Sequence, residues 1–224
     1  MSVTERSYAA FLFDMDGTLL NSIPSAIRIW TQWAMRHDVD RDELFRVMHG
    51  VRAIETIRRF APDVDAQAEF EWLLQAEIDD VADVIEIAGA TAFLRSLPVD
   101  RWAIVTSAPR TLAEVRLKAA GVSPAATMIT ADDVERGKPA PDCFLMAAER
   151  LGVDPADCLV WEDAPAGIAA GEAAGADVMV VTATHETRLE TPHGTIADYG
   201  ALAVEVRADG WLRLRMTDEA RCPA

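Results

Sequence analysis

Hydrophobic and polar positions change rhythm along this chain, and the changes divide it. The run Ala9-Ala10-Phe11-Leu12-Phe13 is short, unbroken and aromatic, the pattern of a strand buried on both faces. After Thr18 the rhythm becomes helical. Ile23, Ile27, Trp30 and Ala34 recur at helical spacing behind Asn21-Ser22 and Pro24, which suit a helix start. Leu44, Val47 and Met48 predict a second, short helix, and Ile54, Ile57 and Phe60 a third that stops before Pro62. A longer helix is expected over about 66–84, with Phe70, Leu73, Leu74 and Ile78 facing inward. No strand pattern stands out between Leu20 and Glu86, and the aromatic residues there read as packing.

From Ala90 onward short apolar strands alternate with helices. Strands are expected at 102–106, 127–130, 158–161 and 177–181, and helices at 112–120, 141–151 and 166–174, with Gly121, Gly152 and Gly175 as stops. Such alternation predicts an α/β fold, a doubly wound parallel sheet. Residues 204–207 and 211–214 alternate around Asp209-Gly210, as a hairpin does. The expected division is a core of 1–20 and 88–224 interrupted by an α-helical insertion over 21–87.

Half of the 224 residues are hydrophobic, enough for a substantial core. The formal charge of −16 argues against nucleic-acid and anionic-membrane partners, which demand positive surface. Cys143, Cys158 and Cys222 form no CxxC pair and read as thiols of a reducing compartment. No apolar run reaches the length of a membrane span, and the N-terminus lacks the layout of a secretory signal. A cytoplasmic location is expected.

Two carboxylates stand at the end of the first strand, in Asp14-Met15-Asp16-Gly17-Thr18. Side by side they resist ionising together unless a cation shares them. A hard divalent ion such as magnesium, which takes oxygen ligands, resolves the conflict. An EF-hand is excluded because Leu19, Leu20 and Ile23 occupy positions where further ligands belong. In an open parallel sheet, ligands bind beyond the carboxyl ends of the strands. Asp14, Thr106, Lys138 and Glu162-Asp163 all fall at that edge. Their types suit phosphoryl transfer: Asp14 as a carboxylate nucleophile, Asp16 as acid and then base, and Asp163 in a metal site with Glu162 as an outer or alternative ligand. Lys138 and Thr106 would hold phosphoryl oxygens.

Phe13-Asp14-Met15-Asp16-Gly17-Thr18-Leu19, Thr106, Gly137-Lys138-Pro139 and Glu162-Asp163 together resemble the four motifs of the haloacid-dehalogenase superfamily, and the insertion resembles its α-helical cap over a Rossmann-like core. The closer resemblance is to bacterial sugar phosphatases and to yeast 2-deoxyglucose-6-phosphatases and glycerol-phosphatases. It rests on His49-Gly50, Thr56 to Phe60, Val105-Thr106-Ser107 and Glu162 to Gly167, and extends over nearly the whole chain. It implies magnesium held by the Asp14 carboxylate, the Asp16 carbonyl and Asp163, with the phosphoryl group on Thr106, Ser107 and Lys138. By position in the cap, His49 and Arg52 are its candidate specificity residues. The chain departs from the pattern at Ser107-Ala108-Pro109, where relatives carry Ser-Gly-Thr or Ser-Gly-Ser, and at Ala88-Gly89, where they carry Pro-Gly.

Asp16 counts against halide chemistry, and the lack of any lysine before Arg116 against a Schiff-base phosphonatase. The cap histidine of β-phosphoglucomutases aligns with Ala26, which disfavours isomerisation. The expectation is a magnesium-dependent phosphatase of a small phosphorylated sugar or polyol, acting as a monomer or weak dimer. The alternatives are a sugar phosphomutase and a non-catalytic sugar-phosphate-binding module.

Overall fold

Strand β2 (Ala10–Phe13) is completely buried and lies in the interior of the main sheet, which explains its unalternating apolar sequence. The computed structural model describes residues 3–185, 187 and 189–216, so Cys222 lies outside the described residues. A short β1 (Ser7–Tyr8) precedes β2, and β3 (Leu20–Asn21) follows it. Then come four helices, α1 (Ile23–Arg36), α2 (Arg41–Val47), α3 (Ala53–Phe60) and α4 (Ala66–Asp79). Strand β4 (Ile85–Glu86) pairs antiparallel with β3, so the chain leaves for the helices and returns through one two-stranded ribbon.

The remainder alternates as the pattern predicts: α5 (Ala90–Arg95), β5 (Trp102–Val105), α6 (Arg110–Ala120), β6 (Thr127–Ile129), α7 (Asp142–Leu151), β7 (Cys158–Glu162), α8 (Pro165–Ala173) and β8 (Asp177–Val181). Strands β9 (Gly194–Ile196), β10 (Leu202–Val206) and β11 (Leu212–Met216) complete it. The main sheet is six-stranded and parallel, in the order β6-β5-β2-β7-β8-β9. One face packs Leu12, Val105 and Val160 against Phe144 and Ala147 of α7 and Ala170 of α8. The other packs Phe11, Phe13 and Trp161 against Phe93 of α5, Leu112 and Leu117 of α6 and the β10–β11 hairpin. Helices α1 to α4 carry a separate core of Trp30, Trp33, Leu44, Ile57 and Leu73.

Four details differ from the sequence reading. Helix α4 ends at Asp79 rather than near Val84, because the next turn is spoken for: Ser25 donates to the Asp80 carbonyl, and Arg28 binds the Asp80 and Asp83 carboxylates. Ile27 is 40 % exposed, while Ala26, Ile29 and Trp33 turn inward with Trp30. The two-residue strands β3 and β4, and β9 at the sheet edge, are too short to show a period. The hairpin forms, but β11 pairs with β1 to make a separate antiparallel sheet.

Candidate active site

The carboxyl ends of β2, β5 and β7 and the loop after β6 meet at one point. Register brings them there: Phe13 lies beside Ile104 and Trp161, and the Asp14 amide donates to the Trp161 carbonyl at 2.8 Å. Lys138 is 1 % exposed and donates to Asp14 Oδ1 at 2.5 Å, the Val105 carbonyl at 2.9 Å and Glu162 Oε1 at 2.7 Å. Its donors are thus matched one to one. Burial by itself would depress the ammonium, but Asp14 and Glu162 outweigh it and shift the pKa upward.

Glu162 Oε2 accepts from the backbone amides of Asp163 and Ala164. Both of its oxygens are therefore committed to the scaffold. Asp163 differs: among the described residues its buried Oδ1 has no hydrogen-bond partner. Burial and the neighbouring carboxylates push both Asp14 and Asp163 well above the usual carboxylate range, even with Lys138 present. One ligand atom from each of Asp14, Glu162 and Asp163 lies within 4.8 Å of the others. An orphaned carboxylate oxygen in an all-oxygen cluster with excess negative charge fits a hard divalent cation. The free lone pairs are those of Asp14 and Asp163.

Two glycines make the packing feasible. A Cβ on Gly17, whose φ is +86°, would sit 2.0 Å from Asp163 Oδ2, and one on Gly167 would sit 1.6 Å from Glu162 Oε1.

The Asp16 carboxylate is not part of the metal-type cluster. Its Oδ1 accepts from Ser22 Oγ at 2.6 Å and from Arg116 Nη1 at 3.0 Å. Ser22 stands at the N-cap of α1 without capping it, since its hydroxyl is used by Asp16, and Asn21 Oδ1 accepts from the Ile23 amide instead. Thr106 Oγ1 accepts from the Ala108 amide at 3.0 Å, and Ser107 Oγ donates to the Gly50 carbonyl at 2.8 Å.

A cavity between the helical insertion and the sheet is lined by Asp14, Asp16, Thr106, Ser107, His49 and Arg116, among others. His49 is thus brought to the site, and burial together with nearby His185 holds its imidazole below its ordinary pKa. Arg52 is not. Its guanidinium donates to Glu55 and to the Val134 and Glu135 carbonyls, and it lies so close to Gly137 that a Cβ there would be 2.6 Å from Nε. Arg52 latches the insertion onto the loop that carries Lys138. Sequence reasoning missed Arg116 and Glu77, because charged residues on amphipathic helices ordinarily face solvent.

The family model for haloacid dehalogenase-like hydrolases matches residues 8–175. Hexitol phosphatase A of Escherichia coli (strain K12) is 41 % identical over 182 residues, covering 79 % of this chain and 84 % of that protein. Glycerol-1-phosphate phosphohydrolase 2 of Saccharomyces cerevisiae (strain ATCC 204508 / S288c) is 36 % identical over 190 residues, covering 79 % and 76 %. Among solved structures, a hydrolase from Pseudomonas syringae superposes with a TM-score of 0.70 at 28 % identity, covering 78 % of this chain and 84 % of the other.

Proposed function

The chain belongs to the haloacid dehalogenase-like hydrolases, and we propose that within them it is a phosphatase of small sugar or polyol phosphates. The observation that carries the reading is the pairing of two differently placed carboxylates. Asp14 lies in a buried cluster with Lys138 and an Asp163 oxygen that has no partner among the described residues, and Asp16 lines the cavity beside it.

In this reading an Asp14 oxygen attacks phosphorus, and the bond from phosphorus to the substrate alkoxide breaks as Asp16 gives that oxygen a proton. A water then attacks the aspartyl-phosphate, Asp16 takes its proton, and inorganic phosphate leaves with Asp14 regenerated. Ser22 and Arg116 hold the Asp16 carboxylate in place through both steps. Lys138 orients Asp14 and offsets charge on the phosphoryl group, to which the Thr106 hydroxyl and the Ser107 backbone amide donate, the Ser107 hydroxyl being spent on the Gly50 carbonyl. Magnesium, held by the Asp14 and Asp163 carboxylates and the Asp16 carbonyl, would neutralise phosphoryl oxygens. The segment 21–87 acts as a cap whose closure excludes bulk water, with His49 meeting the substrate and Arg52 latching the closed position.

Ala26 lines the cavity and offers no proton-transfer group, so hydrolysis is favoured over isomerisation. No helix among the described residues is long and apolar enough to cross a membrane, and Cys143 and Cys158 are buried free thiols. The free thiols fit a reducing compartment, and the proposal is a cytoplasmic protein acting as a monomer or weak dimer.

The test is phosphate release from hexitol, hexose and glycerol phosphates with and without magnesium, repeated with Asp14→Asn. Metal-dependent turnover that Asp14→Asn abolishes while remaining folded is the expected outcome. Equal turnover by Asp14→Asn, or none by the native chain on any phosphate, would overturn the reading.

A further inference from the structure

The cavity wall carries an ion pair, Glu77 with Arg116, of which the chemistry above uses only Arg116 Nη1, on Asp16. Glu77 comes from α4 in the insertion and is 7 % exposed, and Arg116 comes from α6 in the core and is 5 % exposed. Both line the cavity. Trp30 of α1 lines the cavity with them, and Arg116 Nη1 is spent on Asp16. Arg116 Nη2 lies 3.3 Å from Glu77 Oε1, an electrostatic contact too poorly aligned for a hydrogen bond. Among the described residues neither Nη2 nor Nε has a hydrogen-bond partner.

Buried donors without acceptors are costly, and here they lie beside a buried carboxylate in the wall of a ligand cavity. We propose that Glu77 and Arg116 form the subsite for the hydroxyl groups of the substrate, and that they select an uncharged polyol chain attached to a single phosphate. The inference rests on the phosphatase reading and names its substrate class.

The chemistry follows from the pair itself. A guanidinium can only donate and a carboxylate can only accept, whereas a hydroxyl does both. Two neighbouring hydroxyls therefore satisfy the pair, one accepting from Arg116 Nε or Nη2 and one donating to Glu77. An aliphatic chain would leave Arg116 Nε and Nη2 without an acceptor, which is heavily penalised in a dry site. A substrate bearing a carboxylate or second phosphate would meet Glu77 with like charge. Because one partner sits on the insertion and the other on the core, the subsite is complete only when the two are closed together.

The experiment measures kcat/KM for glycerol 1-phosphate, n-propyl phosphate and 3-phosphoglycerate with the full chain and with Glu77→Gln. The native chain should prefer glycerol 1-phosphate to n-propyl phosphate by about tenfold or more, chiefly through KM. In Glu77→Gln that ratio should shrink at least threefold, and 3-phosphoglycerate should gain relative to glycerol 1-phosphate. Unchanged ratios, or equal losses on all three phosphates, would overturn the proposal. Glu77→Asp, which keeps the charge and withdraws it by one methylene, serves if Glu77→Gln does not fold. It should narrow the glycerol preference and still reject 3-phosphoglycerate, and an unaltered preference would count against the subsite. Calorimetric titration of Asp14→Asn with the same three phosphates reads the pair without turnover. Tighter binding of glycerol 1-phosphate supports the subsite even if the native chain hydrolyses nothing, and equal affinity for glycerol 1-phosphate and n-propyl phosphate refutes it.

Discussion

Replacing Lys138 by Met tests whether the buried acidic cluster is held together by this one cation. Methionine keeps an unbranched stem of similar length against the Phe144 ring, over which the ammonium lies at 5.1 Å from the centroid, so packing is nearly preserved. What disappears is the charge that bonds Asp14 and Glu162 and the donor to the Val105 carbonyl. Removing one partner of a buried ion pair costs about 3–5 kcal/mol, since the remaining charge is left uncompensated. For a chain of this size each kcal/mol lowers Tm by about 2–4 °C, so the expected drop is roughly 6–20 °C. The assay is thermal unfolding followed by circular dichroism, in chelator and in excess magnesium. Magnesium should raise Tm more in Lys138→Met than in the native chain, because a bound cation replaces part of the missing charge. A drop below about 2 °C in chelator would refute the electrostatic account of Lys138. A magnesium shift no larger than that of the native chain would refute the view that a metal shares the cluster.

Other expectations follow from the same geometry. Gly167→Ala should lose about 1–3 kcal/mol or more in urea unfolding, because its Cβ must displace Glu162 Oε1 from 1.6 Å; unchanged stability would contradict the packing described. Arg52→Ala should raise KM by a similar factor for every substrate, as a loosened latch does, whereas a loss confined to one substrate would return Arg52 to substrate contact. Burial raises the Asp133 carboxyl, but the Thr130 amide and hydroxyl and Arg150 overcome this and bring it down to about 2. Its unfolded value is about 3.9, so its stabilisation is present above that pH and fades as pH falls toward the folded value. The Tm difference between native and Asp133→Asn should therefore be largest near neutrality and shrink between about pH 4 and 2; a difference constant across that range would refute it.

Local sequence determined those parts of the protein whose physics is local. Strands β2, β5, β7 and β8 are buried on both faces and so read as unbroken apolar runs, within a residue or so of where they lie. Helices α6 and α7 end at Gly121 and Gly152 in left-handed conformations, as glycine stops predict. Because parallel strands expose their carboxyl ends together, strand–helix alternation was enough to expect Asp14, Thr106, Lys138 and Asp163 at one edge of the sheet. Helix α1 shows where locality runs out. Its apolar residues allow more than one inward stripe, and only packing against Leu44, Ile57 and Leu73 decides that Ile29 and Trp33 are buried and Ile27 exposed. The same holds for Glu77 and Arg116, which sequence cannot distinguish from solvated charges on helix faces. A charge is buried only where a distant partner compensates it, and that partner, like the cavity it faces, exists only once the insertion has folded down onto the core.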